Sequence, residues 1–364
     1  MFLSEDVLAL IGMPADYENC QLARVARFPQ LRALAWSGDI LYASRGYQLL
    51  STRIQNPSHG LTWHPVANFN PGWQRLLSAK NSLTSRLFRD AFHALAVLES
   101  GALVAAVPRA IITRKPDDTE FRSTFAITRG TRPLHIVAVP GGAVFWGEYF
   151  DNPSREEVHI YASSDSGSTW SVAYTFPKGA IRHVHNIVHD PWENCLWVLT
   201  GDYGDECRIL RASLDLSRIE TVLQGNQQAR AVAVVAAQDG LYFSTDTPLE
   251  ANYIYRLDRA GALTRLAAIS SSSIYGCRVA DRIFFSTMVE PSEVNQDRHV
   301  RIYGSTTNAW PSLLAWRKDP WPMRLFQYGN AFLPDGQNAT QFLAVSTTAV
   351  EKDDLALSLY SIKS

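Results

Sequence analysis

The chain has 364 residues, 46% of them hydrophobic, with 34 basic against 35 acidic residues and a formal net charge of −1. That balance offers no basic surplus to hold a phosphate backbone or an anionic bilayer, so neither nucleic acid nor a membrane surface is an expected partner. No apolar run of about 18 residues occurs, which leaves no segment to span a membrane as a helix.

Residues 1–14, MFLSEDVLALIGMP, start acidic and hold only a short apolar run, unlike a secretory leader. The expectation is a cytoplasmic protein, or a secreted one if the chain has been trimmed. A helical apolar period is present only around residues 5–11 and 83–98. From residue 31 onward the pattern is instead a repeat of short alternating runs. The opening runs are LRALAW (31–36), FHALAVL (92–98), PLHIVAV (133–139), HVHNIVH (183–189), RAVAVVA (230–236), YGCRVA (275–280) and LFQYGNAFL (325–333). Each is followed by a second run: DILYAS (39–44), ALVAAV (102–107), AVFWGEY (143–149), CLWVLTG (195–201), GLYFST (240–245), RIFFST (282–287) and QFLAVST (341–347). Turn-forming residues such as SG (100–101), GG (141–142), QDG (238–240) and PDGQN (334–338) separate the runs, which is the hairpin pattern. A second hairpin completes each unit, clearest in residues 158–176, 208–223 and 253–269.

Units of four strands recurring about every 50 residues are propeller blades rather than helical solenoids. One such sheet is apolar on both faces, and stacking sheets around a ring buries them. The expectation is an all-β propeller of seven four-stranded blades, with six as the alternative because residues 50–90 are long and irregular. It is read as a single domain over residues 1–364. A strand near residues 20–30 closes the ring by pairing with the last blade, residues 325–364. The four cysteines, Cys20, Cys195, Cys207 and Cys277, form no C-x-x-C pair. Cys195 and Cys207 are near enough in one hairpin to pair in an oxidising compartment, but half-buried free thiols are expected.

Residues 163–170 read Ser163-Ser164-Asp165-Ser166-Gly167-Ser168-Thr169-Trp170 and match S-x-D-x-G-x-x-W at every fixed position. The motif resembles the Asp box of sialidases and other glycan-active propellers. Its physics is local: the Asp165 carboxylate accepts backbone N–H groups, Gly167 takes a positive φ, and Trp170 packs under the hairpin. Ser163, Asp165, Gly167 and Trp170 are thus expected to be structural. Ser213-Leu214-Asp215 and Leu257-Asp258-Arg259-Ala260-Gly261 echo the box at the corresponding turn of the next two blades. The resemblance implies a carbohydrate-active protein. Sialidases also carry an arginine triad and an early R-I-P segment; Arg27-Phe28-Pro29 matches the latter loosely, and Arg32, Arg45, Arg230 and Arg278 are the arginines available for the former.

In a propeller the first strands line the channel, and loops at one rim build the site. The positions at the starts of first strands and the ends of second strands therefore bear the chemistry. They supply Arg32, His93, His135, His183, His185, Arg230, Tyr275 and Tyr328 from first strands, and Arg45, Arg109, Glu148, Asp202, Asp246 and Glu290 from the ends of second strands. A glycoside hydrolase needs one protonated and one ionised carboxyl across the scissile bond. Glu148 with Asp202 is the leading pair, with Asp151 or Asp246 as substitutes. A lyase acting on a uronate would use His135, His185, Arg230 and Tyr275 as base and carboxylate partner. His93, Arg230, Asp246, Glu290 and Arg32 would bind substrate. A metal set of His183, His185 and His189 with Asp190 is disfavoured, because alternate strand residues share a face and Asp190 lies off it. No metal and no cofactor are expected, and the expected partner is an oligo- or polysaccharide. The alternative to an enzyme is a propeller that binds a glycan or protein without turnover.

Overall fold

The computed structural model describes residues 20–55 and 60–363. The chain forms seven antiparallel sheets, each with four consecutive strands paired in order outward from the channel, except that the last borrows a strand from the N-terminal region. The inner strands are Arg32–Gly38, Ala94–Val97, Val137–Ala138, His183–Asp190, Ala231–Ala237, Ser273–Val279 and Asn330–Phe332, for blades 1 to 7. This is a seven-bladed propeller, and the six-bladed alternative does not hold.

The core explains why no blade stands alone. Seven clusters of buried apolar residues occur, and each joins two neighbouring blades. The cluster that completes the circle sets Trp36, Leu41 and Leu50 of blade 1 against Ala344, Leu357 and Leu359 of blade 7. Strand Gln21–Pro29 pairs antiparallel with Ala356–Lys363, so the outermost strand of blade 7 comes from the far end of the sequence. Residues 1–19, where the expected domain would begin and where the first helical period falls, lie outside the described residues.

Two segments depart from the local sequence pattern. PDGQN reads as a hairpin turn, yet Asp335–Asn338 is a fifth strand, parallel to the inner strand of blade 1, with Ala35 opposite Asp335 and Gly38 opposite Asn338. It also contacts the inner strands of blades 2 and 6, so it fills the channel near the later residues of those strands. Gly336 permits this approach. A Cβ there would sit 2.2 Å from the Trp36 carbonyl oxygen. The second departure is the long connection between blades 1 and 2. It supplies outer strand His64–Asn68 and then two helices, Trp73–Lys80 and Ser82–Phe88. The helical period at 83–98 is therefore real only for its first third. Arg75 and Tyr47 anchor this insert by binding the Asp90 carboxylate at 2.8 and 3.0 Å. No helix among the described residues is long and apolar enough to cross a membrane, and the four cysteines are free.

Candidate functional site

The starts of the inner strands and the ends of the second strands surround a cavity of about 930 Å³. The helical insert forms part of its rim through residues such as Lys80 and Arg89. Of the residues singled out from sequence, Arg32, His93, His185, Asp202, Arg230, Asp246, Tyr275 and Glu290 all line this cavity. Repeat geometry gathers them because each occupies the same end of its own blade.

Two predicted residues are placed elsewhere. Glu148 is 5% exposed and is turned into blade 3, where Arg129 grips both carboxylate oxygens and the His159 N–H donates to Oε2 at 2.9 Å. It does not line the cavity, so the pairing of Glu148 with Asp202 across a cleft is corrected: the carboxylate is fully engaged as a structural ion pair. His135 also lies outside the cavity lining, with Nδ1 3.1 Å from Asp335 Oδ2 of the channel strand. The inner strand of blade 3 is only Val137–Ala138, and His135 lies two residues before it, whereas His93 directly adjoins its strand and His185 lies within its own. His135 touches the site through an edge contact with the Tyr275 ring at 6.0 Å.

One wall of the cavity is acidic and heavily paired. Asp202 Oδ1 lies 3.1 Å from His185 Nε2, 3.3 Å from His183 Nε2 and 3.4 Å from Arg230 Nη2, while Oδ2 is 3.4 Å from Arg182 Nη1. Burial alone would raise the Asp202 carboxyl, but hydrogen bonding to His183 and His185 outweighs it and holds the group well below the usual carboxylate range. The His185 ring packs so tightly on residue 201 that a Cβ there would lie 2.3 Å from Cε1, so only glycine fits. Burial pushes the His185 imidazolium down despite its Asp202 partner.

Asp246 behaves in the opposite way. It is 6% exposed, and its Oδ1 has no hydrogen-bond partner. Burial pushes its carboxyl up to about 7; Arg230 opposes this, while Glu290 and Asp202 reinforce it. Burial raises Glu290 as well. Arg230 Nη2 is 3.4 Å from both Asp202 Oδ1 and Asp246 Oδ2. These oxygens therefore lie no more than about 7 Å apart, on either side of the Arg230 guanidinium.

The facing wall is basic and sparsely paired. Arg32 stacks over the Phe332 ring at 3.8 Å and donates to the His93 carbonyl at 3.2 Å, leaving Nε without a partner. Burial, together with Arg32 and Arg89, lowers Arg132 to about 10. His93 has both ring nitrogens buried without a partner, and burial beside Arg132 and Arg32 keeps it well below the ordinary histidine range. Burial raises the Tyr275 hydroxyl, although Arg32 pulls it down. Arg45 also lines the cavity, whereas Arg278 lies outside it, 5.5 Å above the Trp192 ring.

The strand repeat does not mark Arg89, Arg132 and Arg182, which loops and the helical insert supply, whereas Tyr149 stands at the end of the second run of blade 3 and also lines the cavity. His183 was available as a first-strand position, but its convergence with His185 on Asp202 depends on the bulge between Val184 and Asn186 in the pairing of that strand.

The 163–170 turn connects the third and fourth strands of blade 3, and Ser163 pairs with Val144, at the beginning of the second strand. It therefore lies at the end of the blade opposite the cavity. Thr169 N and Oγ1 donate to the two Asp165 oxygens at 2.8 and 2.7 Å, and Gly167 N donates to Ser163 Oγ at 2.8 Å. Backbone donation from Thr169 is the main reason Asp165 falls to about 2. Trp170 Nε1 reaches Thr124 Oγ1 of blade 2 at 3.2 Å. Asp215 and Asp258 close the equivalent turns of blades 4 and 5 in the same manner.

No protein-family model and no curated protein matches the sequence. Among solved structures, the chain is similar to the WD40 β-propeller domain of Doa1, with TM-score 0.57 and 11% identity over 95% of this chain and 98% of that one. It is also similar to a chain of the mitotic checkpoint complex, with TM-score 0.59 and 9% identity over 97% and 98% of the two chains. At such identities the likeness shows the propeller fold alone.

Proposed function

We propose that the protein is a carbohydrate-active enzyme that cleaves a glycosidic bond in the cavity at the inner-strand starts. The observation that carries this reading is the pair Asp246 and Asp202: one carboxyl is held protonated to about neutral pH and the other ionised, within about 7 Å of each other. Asp246 donates the proton to the leaving oxygen as the glycosidic bond breaks, Asp202 carries the negative charge that stabilises the sugar cation, and water adds to that cation and returns a proton to Asp246. Arg32, Arg89 and Arg132 on the facing wall favour a substrate bearing a carboxylate or another anion. The Asp-box match at Ser163–Trp170 agrees with a glycan-active relative, although its role is to join blades 2 and 3.

The unpartnered imidazole of His93 supports a second reading. A neutral His93 beside Arg32 and Arg132 is placed to remove a proton next to a uronate carboxylate, with the neutral Tyr275 hydroxyl as acid, which is a lyase arrangement. His185 and Arg230 are bound to Asp202, and His135 is outside the cavity, so of the residues first assigned to a lyase only Tyr275 keeps that part. Incubation with a panel of neutral and acidic polysaccharides separates the readings. New reducing ends without ultraviolet absorbance support hydrolysis, and an absorbing unsaturated product supports elimination. Retained affinity with no turnover on any glycan would leave only a binding module.

A further inference from the structure

We infer that His183, His185 and Asp202 form a binding site for one divalent transition-metal ion. His183 Nδ1 is 3.0 Å from the Phe150 carbonyl oxygen, and His185 Nδ1 is 3.0 Å from the Ala231 carbonyl oxygen. A carbonyl only accepts, so each Nδ1 carries a proton, and each Nε2 is left facing the Asp202 carboxylate. Those two Nε2 atoms are 3.1 Å apart, and each faces Asp202 Oδ1, at 3.3 Å from His183 and 3.1 Å from His185. Three atoms of metal-ligand type converge within 3.3 Å of one another, a crowding that shared protons or a bound cation must relieve.

A cation resolves this. Ligand atoms about 2.0–2.1 Å from zinc in a tetrahedron are roughly 3.3 Å apart, close to the three edges here. Backbone carbonyls fixing Nδ1–H are the outer partners that metal-bound histidines require. Two histidines and one carboxylate suit zinc or another first-row divalent ion rather than calcium or magnesium. All three side chains line the cavity, so water or a substrate oxygen can complete the coordination. Arg230 Nη2 shares Oδ1 at 3.4 Å but also reaches Asp246, and Arg182 lies on the other oxygen, so neither occupies the triangle. His189 and Asp190 are not part of this set. Asp190 instead binds the Trp197 indole N–H and Arg259, and Asp202, directly after the strand Cys195–Gly201, supplies the carboxylate.

The site does not depend on the glycan-cleaving reading, because metal binding is measured without any glycan. The full chain, stripped with chelator, is titrated with Zn²⁺ alone, and with Co²⁺ for its visible spectrum. One equivalent binds with micromolar or tighter affinity, and Co²⁺ gives a ligand-field band. His183→Ala, His185→Ala and Asp202→Ala each weaken binding at least as much as the roughly 10–100-fold cost of losing an outer partner. His93→Ala, also in the cavity, leaves it unchanged. If a variant does not fold by circular dichroism, the Co²⁺ spectrum of the wild-type chain decides alone. Binding no tighter than that of the His183→Ala/His185→Ala double variant, or a Co²⁺ spectrum equal to that of the free ion, overturns the site.

Discussion

The two ends of the same blades are built differently. At the Asp-box end, Ser163, Asp165 and Thr169 satisfy one another and the turn backbone, and Trp170 ties blade 3 to blade 2. At the cavity end, ten of the 17 buried side-chain atoms without a partner among the described residues belong to cavity-lining residues, including both His93 nitrogens and Asp246 Oδ1. Leaving a buried polar atom unpaired costs on the order of 1–3 kcal/mol. A repeat that can close its turns so completely at one end, and does not at the other, has polar capacity available for a ligand there. The Asp-box end and the cavity end are separated by the length of a strand.

That contrast is broken most severely at Asp246. Asp246→Asn keeps the shape and removes the proton donor, so turnover falls by about 100-fold or more, while the folded state is retained in circular dichroism. Substitution of Arg132 acts next. Arg132→Ala weakens binding of an anionic glycan by about tenfold and leaves a neutral one unchanged, as titration calorimetry will show, because only the anion uses that charge. Equal losses on both glycans would mean the arginine wall serves packing. At the other end, Asp165→Ala costs about 1–2 kcal/mol from the lost turn hydrogen bonds. This lowers Tm by a few degrees without changing turnover.

The two aspartates also respond oppositely to pH. The Asp246 carboxyl is raised to about 7, so its favourable contribution is complete below the unfolded value near 4 and is lost as pH rises toward 7. The charged and titratable groups around it are Arg230, Glu290, Asp202 and Tyr149. Asp165 is depressed to about 2, so its contribution is complete above about 4 and is lost as pH falls toward 2. Chemical denaturation should show Asp246→Asn gaining stability relative to wild type at pH 8 but not at pH 4. Asp165→Ala should lose its deficit near pH 2. Parallel pH curves for the two variants would remove the distinction between the ends.

The ring was legible because alternation and turn residues are local: the opening runs at 31–36, 183–189 and 230–236 coincide with inner strands almost residue for residue. Blade 3 shows where locality fails, since PLHIVAV yields only Val137–Ala138 as strand and His135 falls two residues before it. Asp335–Asn338 was unreadable for a related reason, because a parallel partner 300 residues away leaves no mark on PDGQN. The shared rim positions of Asp202, Arg230, Asp246 and Glu290 followed from repeat symmetry. Partner choice did not: nothing near Glu148 in sequence signals that Arg129 will take both its oxygens. Of the basic wall, Arg32 and His93 followed from the repeat, whereas Arg89 and Arg132, supplied by the insert and the loop before blade 3, lie outside it.

The central claim is that Asp246 acts as an acid in a glycan-cleaving cavity, and the pH profile of turnover on the panel's best substrate tests it directly. The account predicts activity that declines as pH rises through about 7 in the wild type and a residual rate without that decline in Asp246→Asn. Wild-type turnover matched by Asp246→Asn at every pH, or no turnover on any glycan, contradicts it.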